Sequence, residues 1–481
     1  MLNNKSGFSP YLYCGLAAIL FLLIPSLGFA SAASENHIDL TNHSIGYLAL
    51  TIFAIAYLFV MVEEFTHLRK SKPVILAAGI IWAMIAYMYA QNGFTHEAES
   101  AVRHNLLEFS ELFLFLLVAM TYINAMEERL VFETLKAWLI RKGFGYRKLF
   151  WLTGILAFFI SPIADNLTTA LLMCAVLLAV GDKNPKFVSI GCVNIVVAAN
   201  AGGAFSPFGD ITTLMVWQKG IVEFSTFFLL FVPSVVNYLI PAAIMHFAIP
   251  NEQPEPSEET VVMKRGALTI LGLFLLTIAT AVAFHNYLHL PPVIGMMTGL
   301  AYLQIFGFYL KITHVVDAEH QYDEKKSQEI LGDVEAFDIF RKISRAEWDT
   351  LLFFYGVVLC VGGLGFIGYL AMVSEVMYVE WGATNANIMV GFLSAIVDNI
   401  PVMFAVLSME PDMSLGQWLL VTLTAGVGGS MLSIGSAAGV ALMGLAKGKY
   451  TFFGHLKWMP VIAIGYFASI ATHLWVNDSL F

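Results

Sequence analysis

The 481-residue chain is 58% hydrophobic and only 12% charged, against roughly 45–50% and 25% for a soluble domain, which excludes a soluble globular fold. The formal net charge of −10 is spread unevenly, so which loops hold the basic residues matters more than the total, and no basic nucleic-acid footprint appears. The four cysteines, Cys14, Cys174, Cys192 and Cys360, have neither disulfide nor metal spacing and read as buried packing thiols.

In chain order, Lys5 precedes the apolar run Tyr11–Phe29, and Ala30-Ser31-Ala32 then offers a cleavage pattern before polar residues. Residues 1–35 therefore read as a removable signal peptide or an uncleaved first transmembrane helix. Either puts the start of the first half, 36–250, outside. Apolar windows such as Ile45–Met61 and Leu106–Tyr122 follow, each long enough to cross a hydrocarbon core of about 30 Å. The positive-inside rule places Arg69, Lys70 and Lys72 inside, the loop Gln91–Arg103 outside, and the segment carrying Arg129, Lys136, Arg141, Lys142, Arg147 and Lys148 inside. His104, Glu108 and Glu111 cluster where a helix enters from the outer face. They read as a proton entry path or pH-sensing group, or else as an interfacial capping cluster.

Next come two apolar stretches flanking Ser161-Pro-Ile-Ala-Asp-Asn-Leu-Thr-Thr169, the expected tip of a helical hairpin over about 149–180 that dips into the membrane. Backbone that leaves the helix at that depth is tolerated only where protein or a water-filled cavity satisfies it. The Gly-rich run Ala201-Gly-Gly-Ala-Phe-Ser-Pro-Phe-Gly-Asp210 then interrupts an apolar helix over about 187–218. Glycines let the backbone unwind, and the freed carbonyls, hydroxyls and carboxylates suit a hard cation. Asn200, Asp210, Thr212 and Thr213 are the candidate ligands there, and close helix packing is the plainer reading for the small residues.

A Pro- and Glu-rich connector, 251–265, opens the second half, 266–481, which contains a polar stretch at about 311–347 with six Lys/Arg that reads as a solvated cytoplasmic linker. The second half repeats the first. Ser394-Ala-Ile-Val-Asp-Asn-Ile-Pro401 matches the first tip within a hairpin over about 387–409, and Val427-Gly-Gly-Ser-Met-Leu-Ser-Ile-Gly-Ser436 matches Ala201–Asp210 within a broken helix over about 417–446. Upstream, Glu347 and Asp349 stand where Glu108 and Glu111 stand in the first half, and Asp349 joins His104, Glu108 and Glu111 in the expected proton-path or pH-sensing set. The segment before the first tip carries six basic residues, whereas its counterpart, Ala371–Asn387, carries Glu375 and Glu380 and none. The expected architecture is thus an all-α polytopic membrane protein of two inverted-topology repeats, the layout of secondary transporters.

A charged Asp at the bilayer centre costs about 2.5–3.5 kcal/mol, and no Lys or Arg lies inside the predicted spans near either tip. Sodium or a proton is then the expected partner of Asp165 and Asp398. Burial favours the protonated acid and a bound cation favours the carboxylate, so each holds one ion or the other. The expected Na⁺ contacts are Asp165, Asn166, Asp398 and Asn399. Thr169, Ser394, Ser433 and Ser436 complete the candidate ion-translocation set. His246, His285, His289, His314, His455 and His473 read as solvated or interfacial.

These motifs, Ser161–Thr169 with Ala201–Asp210 and Ser394–Pro401 with Val427–Ser436, resemble those of the NhaD-type sodium/proton antiporters. That family sits in the ion transporter superfamily beside dicarboxylate/sodium symporters and arsenite permeases. The resemblance implies a scaffold domain that pairs two copies and a transport domain moving as an elevator. It also implies activity favoured at alkaline pH and roles in ion translocation for Asp165, Asn166, Asn200, Asp210, Thr212, Ser394, Asp398, Asn399, Ser433 and Ser436. Ser436 stands where Asp210 stands in the first half, which unbalances the two halves. The expected function is exchange of Na⁺ or Li⁺ for H⁺ across the cell inner membrane, serving sodium extrusion and pH homeostasis. Membrane lipid and the transported ions are the expected partners, with no cofactor. Coupled transport of a small anion on the same fold is the alternative, and an intramembrane enzyme using buried aspartates is a third reading.

Overall fold

The computed structural model describes residues 38–66, 68–181, 183–253, 261–320 and 337–481, with backbone alone at 64, 65 and 314–320. The signal-like segment, Cys14, the His314 side chain, and parts of the connector and of the polar linker lie outside the described residues. Helices take up the apolar windows, because a backbone in lipid must satisfy its own N–H and C=O groups. Among the described residues there is no strand, and ten helices are long and apolar enough to cross a membrane. The protein is a multi-pass, all-helical membrane protein.

Helices α1 (Ser44–Met61), α2 (Glu63–Thr66) and α3 (Ser71–Gln91) lead to the long α4 (Thr95–Glu128) and the short α5 (Val131–Arg141). Then α6 (Tyr146–Ala164) and α7 (Asn166–Gly181) are joined by Asp165 alone and pack on one another. The run α8 (Pro185–Gly203) breaks and resumes as α9 (Ile211–Gln218), and α10 (Phe231–His246) closes the first half. After α11 (Ala267–Leu288), α12 (Pro292–His320), α13 (Ile339–Ser344), α14 (Trp348–Phe366) and α15 (Tyr369–Ser374), the pattern recurs. Asp398 alone joins α16 (Ala383–Val397) to α17 (Asn399–Met409), and α18 (Leu415–Gly428) breaks before α19 (Ala437–Leu445). The short α20 (Phe452–Leu456) and then α21 (Met459–Val476) end the chain.

The first arm of each hairpin packs on the first segment of the nearby broken helix, and equivalent atoms make the contact. Ser161 donates to the Ala199 carbonyl at 2.7 Å and Ser394 to the Ala425 carbonyl at 2.6 Å. Gly202 and Gly428 permit this approach, since a Cβ would stand 2.2 Å from the Phe158 oxygen in one case and 2.3 Å from the Gly391 oxygen in the other. Every residue of α8 from Ile190 to Gly203 is buried, so it packs against protein on all sides rather than lipid. A second, smaller apolar cluster joins α1, α3 and α14 through Ala49, Ile81, Trp82, Ile85 and Leu359.

Two sequence expectations are corrected here, while the described cysteines are buried, free thiols as their spacing implies. The polar linker is not solvated throughout. Its end, from Phe337, packs on α4, where Lys342, 1% exposed, meets the Glu128 carboxylate and Arg129 lies 4.9 Å over the Phe337 ring. His455 and His473 are fully buried, because each finds backbone and side-chain partners for both ring nitrogens: Ser430 O and Tyr450 for one, Gly416 O and Asn477 for the other. Cys174 and Cys192 face each other from α7 and α8 with 3.7 Å between sulfurs, and both are free.

Candidate ion site

Each hairpin tip is a sharp reversal. Asp165 has φ 58° and ψ 163°, and Asp398 has φ 81° and ψ 143°, a region in which residues other than glycine cost about 1–3 kcal/mol and which clusters at functional sites. The reversal leaves each aspartate at the start of the following helix. Asp165 Oδ1 accepts from the Thr168 amide at 2.8 Å, and Oδ2 accepts from the Thr168 hydroxyl at 3.0 Å. Asp398 Oδ1 accepts from the Asn399 amide at 2.8 Å. A helix N-terminus favours negative charge, which offsets part of the cost of holding these carboxylates out of water.

The tips converge on a third acid. Asp210 also starts a helix, α9, and its Oδ1 accepts from the Thr212 amide at 3.0 Å. Asn166 Nδ2 donates to Asp210 Oδ2 at 3.1 Å, and Asn399 Nδ2 donates to both Asp210 oxygens at 3.1 and 3.0 Å. Asn166 also donates to Asn200 Oδ1 at 3.1 Å, and Asn200 Nδ2 donates to Ser430 Oγ at 2.9 Å. Both hairpins and both broken helices therefore meet through one hydrogen-bonded chain. Among the described residues no hydrogen bond or ion pair joins Asp165 to Asp398 directly; Asp210 is the point at which their neighbours meet.

The remaining candidates divide by role. Thr169 is fully buried and its hydroxyl has no partner among the described residues. The Thr212 hydroxyl lies beside Asp210 without a well-formed hydrogen bond. Such orphaned oxygens are uncommon in folded proteins and call for a ligand or water. Thr213 instead braces the break, donating to the Ser206 and Asp210 carbonyls at 2.8 and 2.6 Å. Ser394 is spent on Ala425, as above. Ser433 turns to the Met443 sulfur at 3.2 Å, and Ser436 caps α19 through the Gly439 amide at 3.3 Å.

A cavity of about 550 Å³ reaches this chain of groups, with Asp165, Asn166, Thr168 and Asp210 in its wall. Its other lining groups include Glu127, Glu133, Arg345 and Glu347, so it approaches from the end of the molecule that carries the basic segment 129–148. His104, Glu108 and Glu111 lie elsewhere, lining a separate cavity of about 290 Å³ with Gln218 and Lys219. Glu108 meets the Lys219 ammonium and, at 3.2 Å, His104 Nε2, tying α4 to the end of α9. Asp349 does not join them: it accepts from the Ser71 hydroxyl at the start of α3.

One sequence expectation fails at the second tip. Lys70 Nζ lies 3.8 Å from Asp398 Oδ2, so that carboxylate does have a basic neighbour. Lys70 is in the loop before α3, outside any apolar window, and nothing local in the sequence ties it to a residue so far along the chain. Sequence reasoning also missed Thr168 and Ser430. Both lie inside motifs already singled out, and the helix phase that picks Thr168 over Thr169 depends on where the tip turns.

The citrate transporter family model matches residues 32–426. A protein named "Na(+)/H(+) antiporter NhaD" from Alkalimonas amylolytica is 61% identical over 473 residues, 97% of each chain. One of the same name from Vibrio cholerae is 62% identical over 97% of this chain and 99% of its own. "Sodium/proton antiporter 1" of Arabidopsis thaliana is 32% identical over 95% of this chain and 77% of its own.

Proposed function

The chain belongs to the NhaD-type sodium/proton antiporter family, within the citrate transporter family, and on that premise we propose that it exchanges Na⁺, or Li⁺, for H⁺ at the Asp210 centre. It is a transporter and not an enzyme, which removes the intramembrane-enzyme reading. The observation that carries the proposal is the pair of asparagine amides, one from each hairpin tip, donating to a single buried carboxylate.

The chemistry follows from what an amide can do. Its nitrogen donates to a carboxylate that holds no cation, and its oxygen faces a cation once one is present. Na⁺ at Asp210 is served by the carboxylate, by the oxygens of Asn166, Asn200 and Asn399 after the amides turn, and by the Thr212 hydroxyl beside it, an all-oxygen set that suits a hard ion. Protonation of the same carboxylate removes the charge that holds the metal ion. Na⁺ and H⁺ thus exclude each other, and exchange is the outcome. Asp165 stands in the wall of the same cavity, beside Asn166 and Asp210.

In this reading the cavity opens to the cytoplasm, by the positive-inside rule. The two hairpins and broken helices form inverted repeats and a transport body that moves as an elevator against the remaining helices. The protein works as a pair of copies in the cell inner membrane, in sodium extrusion and pH homeostasis. Transport of an anion fits less well. Lys70 is held by Asp398, and the centre of the site is a carboxylate that repels anions.

Inverted membrane vesicles test this. Addition of Na⁺ in the absence of any organic anion collapses a preformed pH gradient with the native protein, and Asp210→Asn abolishes the effect. Asp165→Asn and Asp398→Asn lower it at least tenfold. A native signal that appears only with citrate or another carboxylate present sinks the proposal.

A further inference from the structure

We propose that the Lys70 ammonium is a built-in competitor for the second hairpin tip, occupying Asp398 when Na⁺ is absent and giving way when Na⁺ arrives. This rests on the Na⁺/H⁺ reading above, and concerns which group guards Asp398 from the cytoplasmic side.

Lys70 is held in place rather than free to sweep. Its backbone N–H donates to Glu63 Oε1 at 3.4 Å, and its ammonium lies 4.5 Å over the Phe353 ring of α14. The next residue, Ser71, is bonded to Asp349 of the same helix. Tyr57 of α1 donates to the Val397 carbonyl, one residue before Asp398, so the tip that Lys70 faces is itself held from α1. The Lys70 and Asp398 side chains are 16% and 13% exposed, a setting in which a charge pair is only weakly screened.

The two tips differ in access. Asp165 is in the wall of the inner cavity and makes no ion pair among the described residues, whereas Lys70 lines that cavity and Asp398 does not. A cation that enters from this side meets Asp165 and Asp210 directly and finds Asp398 behind an ammonium. One carboxylate cannot hold Lys70 and Na⁺ together, since that leaves a surplus positive charge in a poorly solvated place. Na⁺ must displace Lys70, so the ion pair weakens apparent Na⁺ affinity on this face by the equilibrium cost of opening it.

The test compares Lys70→Gln, Lys70→Arg and Asp398→Asn in inverted vesicles, which present the cytoplasmic face to added Na⁺, with membrane content matched by immunoblot. Lys70→Gln lowers the apparent KM for Na⁺ by about threefold to fivefold, the range for loss of a partly exposed ion pair, and Lys70→Arg restores it towards the native value. A merely structural prop behaves differently: its loss lowers the maximal rate and leaves KM where it was. Where Lys70→Gln fails to accumulate, Lys70→Met, which keeps the methylene stem over Phe353, takes its place. An unchanged or raised KM in the neutral variant overturns the competitor role. Asp398→Asn separates the two levels. Native-like exchange in Asp398→Asn removes Asp398 from transport altogether, while its loss combined with an unchanged KM in Lys70→Gln overturns the competitor alone.

Discussion

Asp165 and Asp398 hold backbone angles that glycine adopts freely and other residues do not. That combination predicts a separation of stability from transport. Asp398→Gly is more heat-stable than Asp398→Ala by about 1 kcal/mol or more, although neither transports normally; detergent-solubilised protein followed by thermal unfolding checks the order. Most of the hub was legible from the chain, because Asp165, Asn166, Asn200, Asp210 and Asn399 stand in duplicated motifs within apolar stretches that have no other use for a carboxylate or amide. Lys70 was not. It comes from a loop whose basic residues are explained by membrane orientation alone, and only tertiary packing reveals that one of them turns to Asp398. Ser430 was hidden for a related reason: a serine among glycines reads as a small packing residue until Asn200 is found against it.

The hairpins and broken helices depend on close backbone approach. Gly202 and Gly428 sit where a methyl group would meet a carbonyl oxygen of the neighbouring helix. Gly428→Ala therefore pushes α18 off α16 and breaks the Ser394 bond to Ala425, lowering both membrane accumulation and the exchange rate; Gly444→Ala, at a glycine with nothing within 4 Å of its added carbon, changes neither. Immunoblots and vesicle assays of the pair read the difference. The interruptions themselves were visible as Gly-rich runs, since glycine is costly inside a helix. The fates of α13 and α20 were not. The charges of α13 and the single histidine of α20 read as solvated or interfacial, yet Lys342 and His455 end fully buried because each brings charge or hydrogen-bond partners that its new surroundings complete.

Across the whole molecule, the apolar windows announced a membrane protein and the matched motifs announced two related halves, while the contacts that lock the halves together carry no local signature. The Asn200–Ser430 bond is one such lock. Ser430→Ala leaves a buried amide without its acceptor, a loss of about 1–3 kcal/mol, and is expected to lower the unfolding temperature in detergent more than Ser433→Ala, whose hydroxyl faces only a sulfur.

The lock has a consequence for biosynthesis. Asn200 and Ser430 are 230 positions apart in the chain, so the ribosome finishes α8 long before the acceptor exists. Through that interval a helix built to touch no lipid has to be kept from the bilayer by whatever portion of the first half has already assembled, or by the insertion machinery. The nascent protein thus carries the Asn200 amide as an open promise, redeemed only when the final quarter of the polypeptide arrives.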